Sequence, residues 1–240
     1  MNTPNLGVII GKGHGNQREL AAAISGQGFK IVISKHTWPR DAYVKYQGIY
    51  IRNYEPENQN PWNVFGEGGY FQIGEDYILV SDRVYQDGKS EGRFINSQET
   101  VPMEQIIQRE AVKYYPTARI HVTPSGEPHQ SHKHIDMYTL LLSKSNLLIL
   151  DTHFGGEVVQ SKKYEAIAEK EGLNLIHYDG SQDSVWYPLN VLVLPTAQSE
   201  IVFLDKKATS LQQLLQKYNI PCIAVELEQT SYPTGKINCQ

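Results

Sequence analysis

Short β-rich runs alternate with helical patterns from one end of this chain to the other, and no Pro/Gly/Ser linker or block of like charge divides them. Strand, helix and strand pair recur several times, without a literal sequence repeat. The pattern predicts an α/β fold with no internal boundary. Strands are expected at Gly7 to Ile10, Lys30 to Ser34, Gly48 to Arg52, Tyr77 to Val80, Ile120 to Thr123, Met137 to Leu142, Leu147 to Asp151, Asn174 to His177, Val191 to Leu194, Ile201 to Leu204 and Cys222 to Val225. Helices are expected at Gln17 to Ser25, Met103 to Tyr114, Lys162 to Glu171 and Ser210 to Lys217, where apolar residues return every three or four positions.

A chain of 240 residues can bury one substantial core, so residues 1–240 read as a single domain. The formal charge of -4 offers no basic footprint for nucleic acid. No apolar run approaches the roughly 18 residues that span a bilayer, and Met1 to Ile10 lacks the pattern of a signal peptide. The expectation is a cytoplasmic protein with neither a membrane nor a nucleic-acid partner. Only Cys222 and Cys239 occur, too few for a disulfide framework. The oligomeric state is left open by the sequence.

Four segments carry candidate chemistry. Cys239 lies in the polar run Thr234-Gly235-Lys236-Ile237-Asn238-Cys239-Gln240, a loop composition in which substrate can reach a thiol, whereas Cys222 opens an apolar strand and reads as a core residue. From position alone, a frayed terminal cysteine is an equal reading. His134 and Asp136 stand two apart at the start of an expected strand, where they would project from one face and meet one ligand; a surface hydrogen bond is the plainer alternative. Asp41, in Trp38-Pro39-Arg40-Asp41, and Glu67, in Gly66-Glu67-Gly68-Gly69, sit among aromatics and turn formers. Trp38 could wall a pocket and the glycines admit close backbone approach, while a turn cap or a solvated loop carboxylate explains each residue singly.

Taken in order, Trp38-Pro39-Arg40-Asp41, Glu67-Gly68-Gly69, His134-Ile135-Asp136 and a C-terminal cysteine in a Gly-containing loop resemble the guanidino-group modifying superfamily across essentially the whole chain. That superfamily includes arginine and agmatine deiminases, dimethylarginine dimethylaminohydrolases and amidinotransferases. The resemblance implies the pentein fold, a five-bladed α/β propeller of pseudo-fivefold repeats around a central active site. It implies Cys239 as nucleophile, His134 as acid and base, Glu67 orienting His134, and Asp41 and Asp136 clasping the guanidinium. Arg83 resembles an arginine that some members use against a substrate carboxylate; an ordinary exposed arginine is the alternative. Ile237-Asn238-Cys239 is most similar to the agmatine and peptidylarginine deiminase branch, and the compact length to the dimethylarginine hydrolases. Tyr232-Pro233-Thr234-Gly235 replaces the family's glycine run before the cysteine, and Ala42-Tyr43 replaces the Gly-Pro type residues of agmatine deiminases.

The chemistry suits these residue types. A guanidinium is planar and cationic, so its carbon is a poor electrophile and paired carboxylates are its natural ligands. A thiolate is a strong nucleophile whose pKa falls beside a cation. The expected activity is hydrolysis of arginine, agmatine or methylarginine compounds, with a small guanidino molecule as partner and no cofactor. Three rivals remain: amidino transfer, a non-catalytic binding protein on the same fold, and a metal-dependent hydrolase. The last rests on His132-x-His134-x-Asp136 with His129, Asp151 and His153 nearby, but Met137 stands where a zinc motif has its last histidine. Gly11-Lys12-Gly13-His14-Gly15 lacks the spacing of a phosphate loop and reads as a turn.

Overall fold

A computed structural model of the chain describes residues 7–11, 17–34, 43–52, 63–90, 100–125 and 134–227. These residues form five separate small sheets. Three sheets share one plan, in which the first strand pairs antiparallel with the second, a helical connection follows, and the third strand lies parallel to the second. They are β5 (Phe71–Ile73), β6 (Tyr77–Ser81) and β7 (Arg119–Thr123); β8 (Thr139–Leu142), β9 (Leu147–Asp151) and β10 (Asn174–Tyr178); and β11 (Leu192–Pro195), β12 (Glu200–Asp205) and β13 (Cys222–Val225). The connections are α2 (Arg83–Ser90) with α3 (Met103–Ala111), then α4 (Lys162–Glu171), then α5 (Thr209–Lys217). Toward the N-terminus, β1 (Gly7–Ile10), α1 (Gln17–Gly26) and β2 (Lys30–Ile33) keep the parallel strand–helix–strand part. The hairpin of β3 (Tyr43–Tyr46) and β4 (Ile49–Arg52) turns on Gln47 and Gly48, both at positive φ, as a two-residue hairpin turn demands.

Local chemistry accounts for the elements. The central strands β6 and β9 read Tyr-Ile-Leu-Val-Ser and Leu-Leu-Ile-Leu-Asp and are buried along their whole length, the pattern of strands covered on both faces. In α4, Ser161 accepts a hydrogen bond from the Lys163 amide at the start, Gly172 takes the left-handed conformation at the end, and Tyr164, Ile167 and Ala168 form the buried stripe.

Four apolar clusters join the sheets in sequence. Val44 and Ile51 of the hairpin pack with Phe71, Ile78 and Val122. Leu79 of β6 packs with Leu148, Leu150 and Tyr164 of the next unit. Leu140 and Ile149 pack with Val202 and Leu211. Val8, Ile10 and Leu20 then pack with Leu194, Phe203 and Val225, which brings the last unit against the first. One strand from each sheet lines a shared cavity of about 600 Å³, through Val8, Val44, Ile73, Leu140 and Leu194. The result is five pseudo-repeated sheet units grouped about a common space.

This topology gives the molecule two distinct ends. In each complete unit the first strand starts, and the second and third strands finish, at the same end, because the second runs antiparallel to the first and the third parallel to the second. Within each complete unit, the segment before the first strand therefore shares an end with those after the second and third, and the contacts of Glu67 with His134 and of Asp136 with Asn190 bring the segments before β5, β8 and β11 together.

Candidate active site

Glu67 and His134 reach one another at that end from different units. Glu67 sits in extended backbone between two short 3-10 turns, Val64–Gly66 and Gly68–Tyr70. Asn63 caps the first turn by accepting from the Phe65 amide, and the buried Tyr115 hydroxyl donates to the Phe65 carbonyl at 2.6 Å. His134 immediately precedes a third 3-10 turn, Ile135–Met137, whose Ile135 carbonyl accepts from the Thr139 hydroxyl at 2.7 Å. Gln72 of β5 donates to the Thr139 carbonyl at 2.8 Å and so ties the two units together beside the site.

The contact itself is short. His134 Nε2 lies 2.7 Å from Glu67 Oε1, with the side chains 15% and 8% exposed. A carboxylate at Nε2 fixes the ring orientation and stabilises the imidazolium form. Gly69 makes the approach possible: a Cβ there would stand 2.5 Å from His134 Cγ and 2.8 Å from Cε1, and nearer still to Nδ1. Tyr70 also packs on the His134 ring, edge-on at 5.2 Å between centroids. Its hydroxyl donates to Asp87, which also accepts from Arg83 Nε at 3.1 Å. Burial, reinforced by Glu67 and Asp87, pushes the Tyr70 hydroxyl well above the ordinary tyrosine range, so it stays a protonated donor.

Asp136 corrects one expectation. The strand β8 starts only at Thr139, and His134 and Asp136 do not alternate along it; Asp136 lies inside the 3-10 turn and is fully buried. With about three residues per turn, positions two apart diverge rather than share a face. Asp136 Oδ2 instead lies 3.5 Å from the side-chain amide of Asn190, a residue the sequence reading did not single out. Arg83 is the first residue of α2, directly after β6 at the site end; apart from Nε, its guanidinium has no hydrogen-bond partner among the described residues, and its side chain is 28% exposed.

Trp38, Asp41 and Cys239 lie outside the described residues, as do His129 and His132. Among the described residues no three His, Cys, Asp or Glu side chains are grouped so as to hold a metal ion. Asp151, considered as a ligand, instead caps its own loop: it accepts from the amides of His153, Phe154 and Gly180, while burial raises its pKa. No described helix is long and apolar enough to cross a membrane. The large cavity meets the Glu67 segment through Gly68 and extends away from it to Gly74 and Glu75, so the Glu67–His134 pair stands at its edge rather than within it.

No protein-family model matches the sequence, and no curated protein matches it. Solved structures do. A dimethylarginine dimethylaminohydrolase adduct with S-methyl-L-thiocitrulline superposes with a TM-score of 0.62 at 11% identity, covering 98% of both chains. The DDAH from Pseudomonas aeruginosa complexed with citrulline gives 0.55 at 11% identity over 90% of this chain and 86% of that one. An arginine dihydrolase from the ornithine-ammonia cycle in cyanobacteria gives 0.61 at 11% identity over 98% of this chain, which spans only 39% of the other. At such identities the likeness establishes a shared fold, in which five pseudo-repeated sheet units resemble the pentein architecture.

Proposed function

We propose that this chain hydrolyses the guanidinium group of an arginine-like small molecule through a covalent intermediate on Cys239. The observation that carries the reading is the buried Glu67–His134 contact at 2.7 Å, assembled from segments 67 residues apart at the end where the units' first strands begin. A carboxylate fixing Nε2 leaves Nδ1 as the nitrogen that would exchange protons with substrate and water. Asp136, buried on the next turn, supplies a second carboxylate for a cation, with Asp41 and Trp38 completing the guanidinium pocket and Arg83 taking a substrate carboxylate. A five-bladed closed arrangement of the units belongs to the same reading; the shared cavity and the packing of the last unit on the first support it.

The position of Cys239 is supported by topology. The strand β13 finishes at the site end, and Leu227, just beyond it, packs with Val8 and Ile10. Cys239 follows Leu227 by twelve residues, a tether that spans up to about 40 Å.

In this mechanism the thiolate adds to the guanidinium carbon, forming the C–S bond. The C–N bond to the leaving nitrogen then breaks as His134 delivers a proton, giving ammonia or an amine and an S-linked amidino intermediate. Water attacks the same carbon as His134 takes its proton, the C–S bond breaks, and a ureido product leaves with the thiolate restored. Glu67 offsets the imidazolium charge on each transfer.

The test presents arginine, agmatine, methylated arginines and an arginine-containing peptide separately, and follows ureido product, ammonia and methylamine. Ureido product with ammonia marks a deiminase, and methylamine from methylated arginine a dimethylarginine-type hydrolase. Product that forms only with an added acceptor amine overturns hydrolysis. Full turnover by Cys239→Ser overturns the covalent route.

A further inference from the structure

We infer that Asn190 is a positioning residue that holds the Asp136 carboxylate, across the boundary between two units, in the orientation and ionised state needed to grip a cationic substrate. The inference deepens the proposed function and rests on its assignment of Asp136.

Asn190 stands just before β11, between Leu189 and Val191, each 1% exposed, and is itself 3% exposed. That environment suits an apolar side chain, and a buried amide without polar partners there would be costly. Backbone geometry fixes its placement: Tyr187 takes a left-handed φ of 52°, and the Asn190 amide donates to the Tyr187 carbonyl at 2.9 Å. The side chain then crosses to the preceding unit, where Nδ2 lies 3.5 Å from Asp136 Oδ2 and 3.3 Å from Met137 Sδ. An ionised carboxylate only accepts hydrogen bonds, so the NH2 side of the Asn190 amide must face it. Among the described residues, Glu67, Tyr70 and His134 are titratable groups on the adjoining turns; Tyr70 stays neutral, and Glu67, a second carboxylate, raises the need for a donor at Asp136.

The test compares Asn190→Leu, which keeps the volume and removes the donor, with Asn190→Asp, which replaces the donor by a like charge. Both are folded full-length chains checked by circular dichroism. For Asn190→Leu the expected result is about a 10-fold rise in KM with a smaller change in kcat, since a hydrogen bond to a charged group is lost at long range. The acid limb of kcat/KM moves to higher pH, and further for Asn190→Asp. A merely structural role would lower thermal stability and leave KM and the acid limb of the folded enzyme unchanged, which overturns the inference.

A second readout needs no substrate. With 13Cγ-labelled aspartate, the Asp136 resonance, assigned through Asp136→Asn, titrates at higher pH in Asn190→Leu than in the wild type. An unmoved titration overturns the inference. Failure of the guanidino substrates with a shifted titration overturns the proposed function alone.

Discussion

Replacing Gly69 by alanine puts one methyl group where the His134 ring now lies. The added Cβ would stand 2.5 Å from Cγ and 2.8 Å from Cε1, against an ordinary contact of about 3.4 Å or more, so the ring must retreat by roughly 1 Å. Tyr70 packs edge-on to the same ring and is itself fully buried, which leaves little space for that retreat. Moved by this much, Nε2 loses the 2.7 Å contact with Glu67 Oε1. A misplacement of about 1 Å costs on the order of 100-fold in rate, and overpacking costs about 1 to 3 kcal/mol of stability. The assay is kcat and KM on whichever guanidino compound the substrate panel identifies, with a thermal melt to confirm folding. The expected outcome is a fall in kcat of about 100-fold in a folded protein. A Gly69→Ala enzyme within 3-fold of wild type, or one whose His134 resonances are unmoved, refutes the argument that Gly69 exists to seat His134.

Further outcomes follow from the same geometry. Glu67→Gln keeps the shape at Nε2 and removes the charge; kcat should fall by about 100-fold with KM nearly constant, measured by steady-state kinetics. Arg83→Ala should erase a preference for arginine over agmatine while sparing agmatine turnover, because Asp87 engages Arg83 through Nε and the side chain is partly exposed; an unchanged preference assigns Arg83 to supporting Asp87 alone. A haloacetamidine should label Cys239 at neutral pH, whereas burial pushes the Cys222 thiol up, so Cys222 should react appreciably only at alkaline pH; peptide mass spectrometry separates the two. Glu171, its side chain 3% exposed at the end of α4, is held below the usual carboxylate range by Arg119 and then His121, so its stabilising contribution is present above its unfolded pKa and lost as pH falls through the depressed folded value. Glu171→Gln should therefore lower the melting temperature at pH 7 and matter less in strong acid.

Long, strongly patterned elements were legible in the sequence, and short ones were not. The helix Lys162–Glu171 has an N-cap serine, a stripe at three- and four-residue spacing and a following glycine, three independent signals that agree. The strand β5 offers three residues and follows a Glu-Gly-Gly-Tyr run that reads as loop, so its pairing with β6, rather than any local pattern, makes it a strand. The strand β3 alternates correctly, with Val44 and Tyr46 buried and Lys45 exposed, but over only four residues. The helix α2 spans only eight residues, contains Gly88 and buries Val84 with Tyr85 partly buried beside it, too short a stretch for its apolar face to stand out in the sequence. Expected Met103 to Tyr114 ends at Ala111 in the structure; the chain approaches Tyr115-Pro116, and the residue before a proline avoids helical geometry.

The site was legible through its glycines and its order, and less so through side-chain periodicity. Reading His134 and Asp136 as alternating strand residues gave the wrong backbone, because a His-x-Asp spacing looks the same in a strand and in a 3-10 turn. Asn190 gave no signal: a single asparagine between apolar residues has no period, and its partner Asp136 is 54 positions away. What these residues share is position relative to a strand start. Glu67 comes just before β5, His134 and Asp136 before β8, and Asn190 before β11, while Asp41 precedes β3 in sequence. Because each of the three complete units starts its first strand at one end, a polar residue placed just before such a strand is delivered to that end whatever its distance along the chain. In a repeated strand–strand–helix–strand fold, the place to search for polar contacts between units is thus the short segment ahead of each unit's first strand, the place that Asn190 occupies.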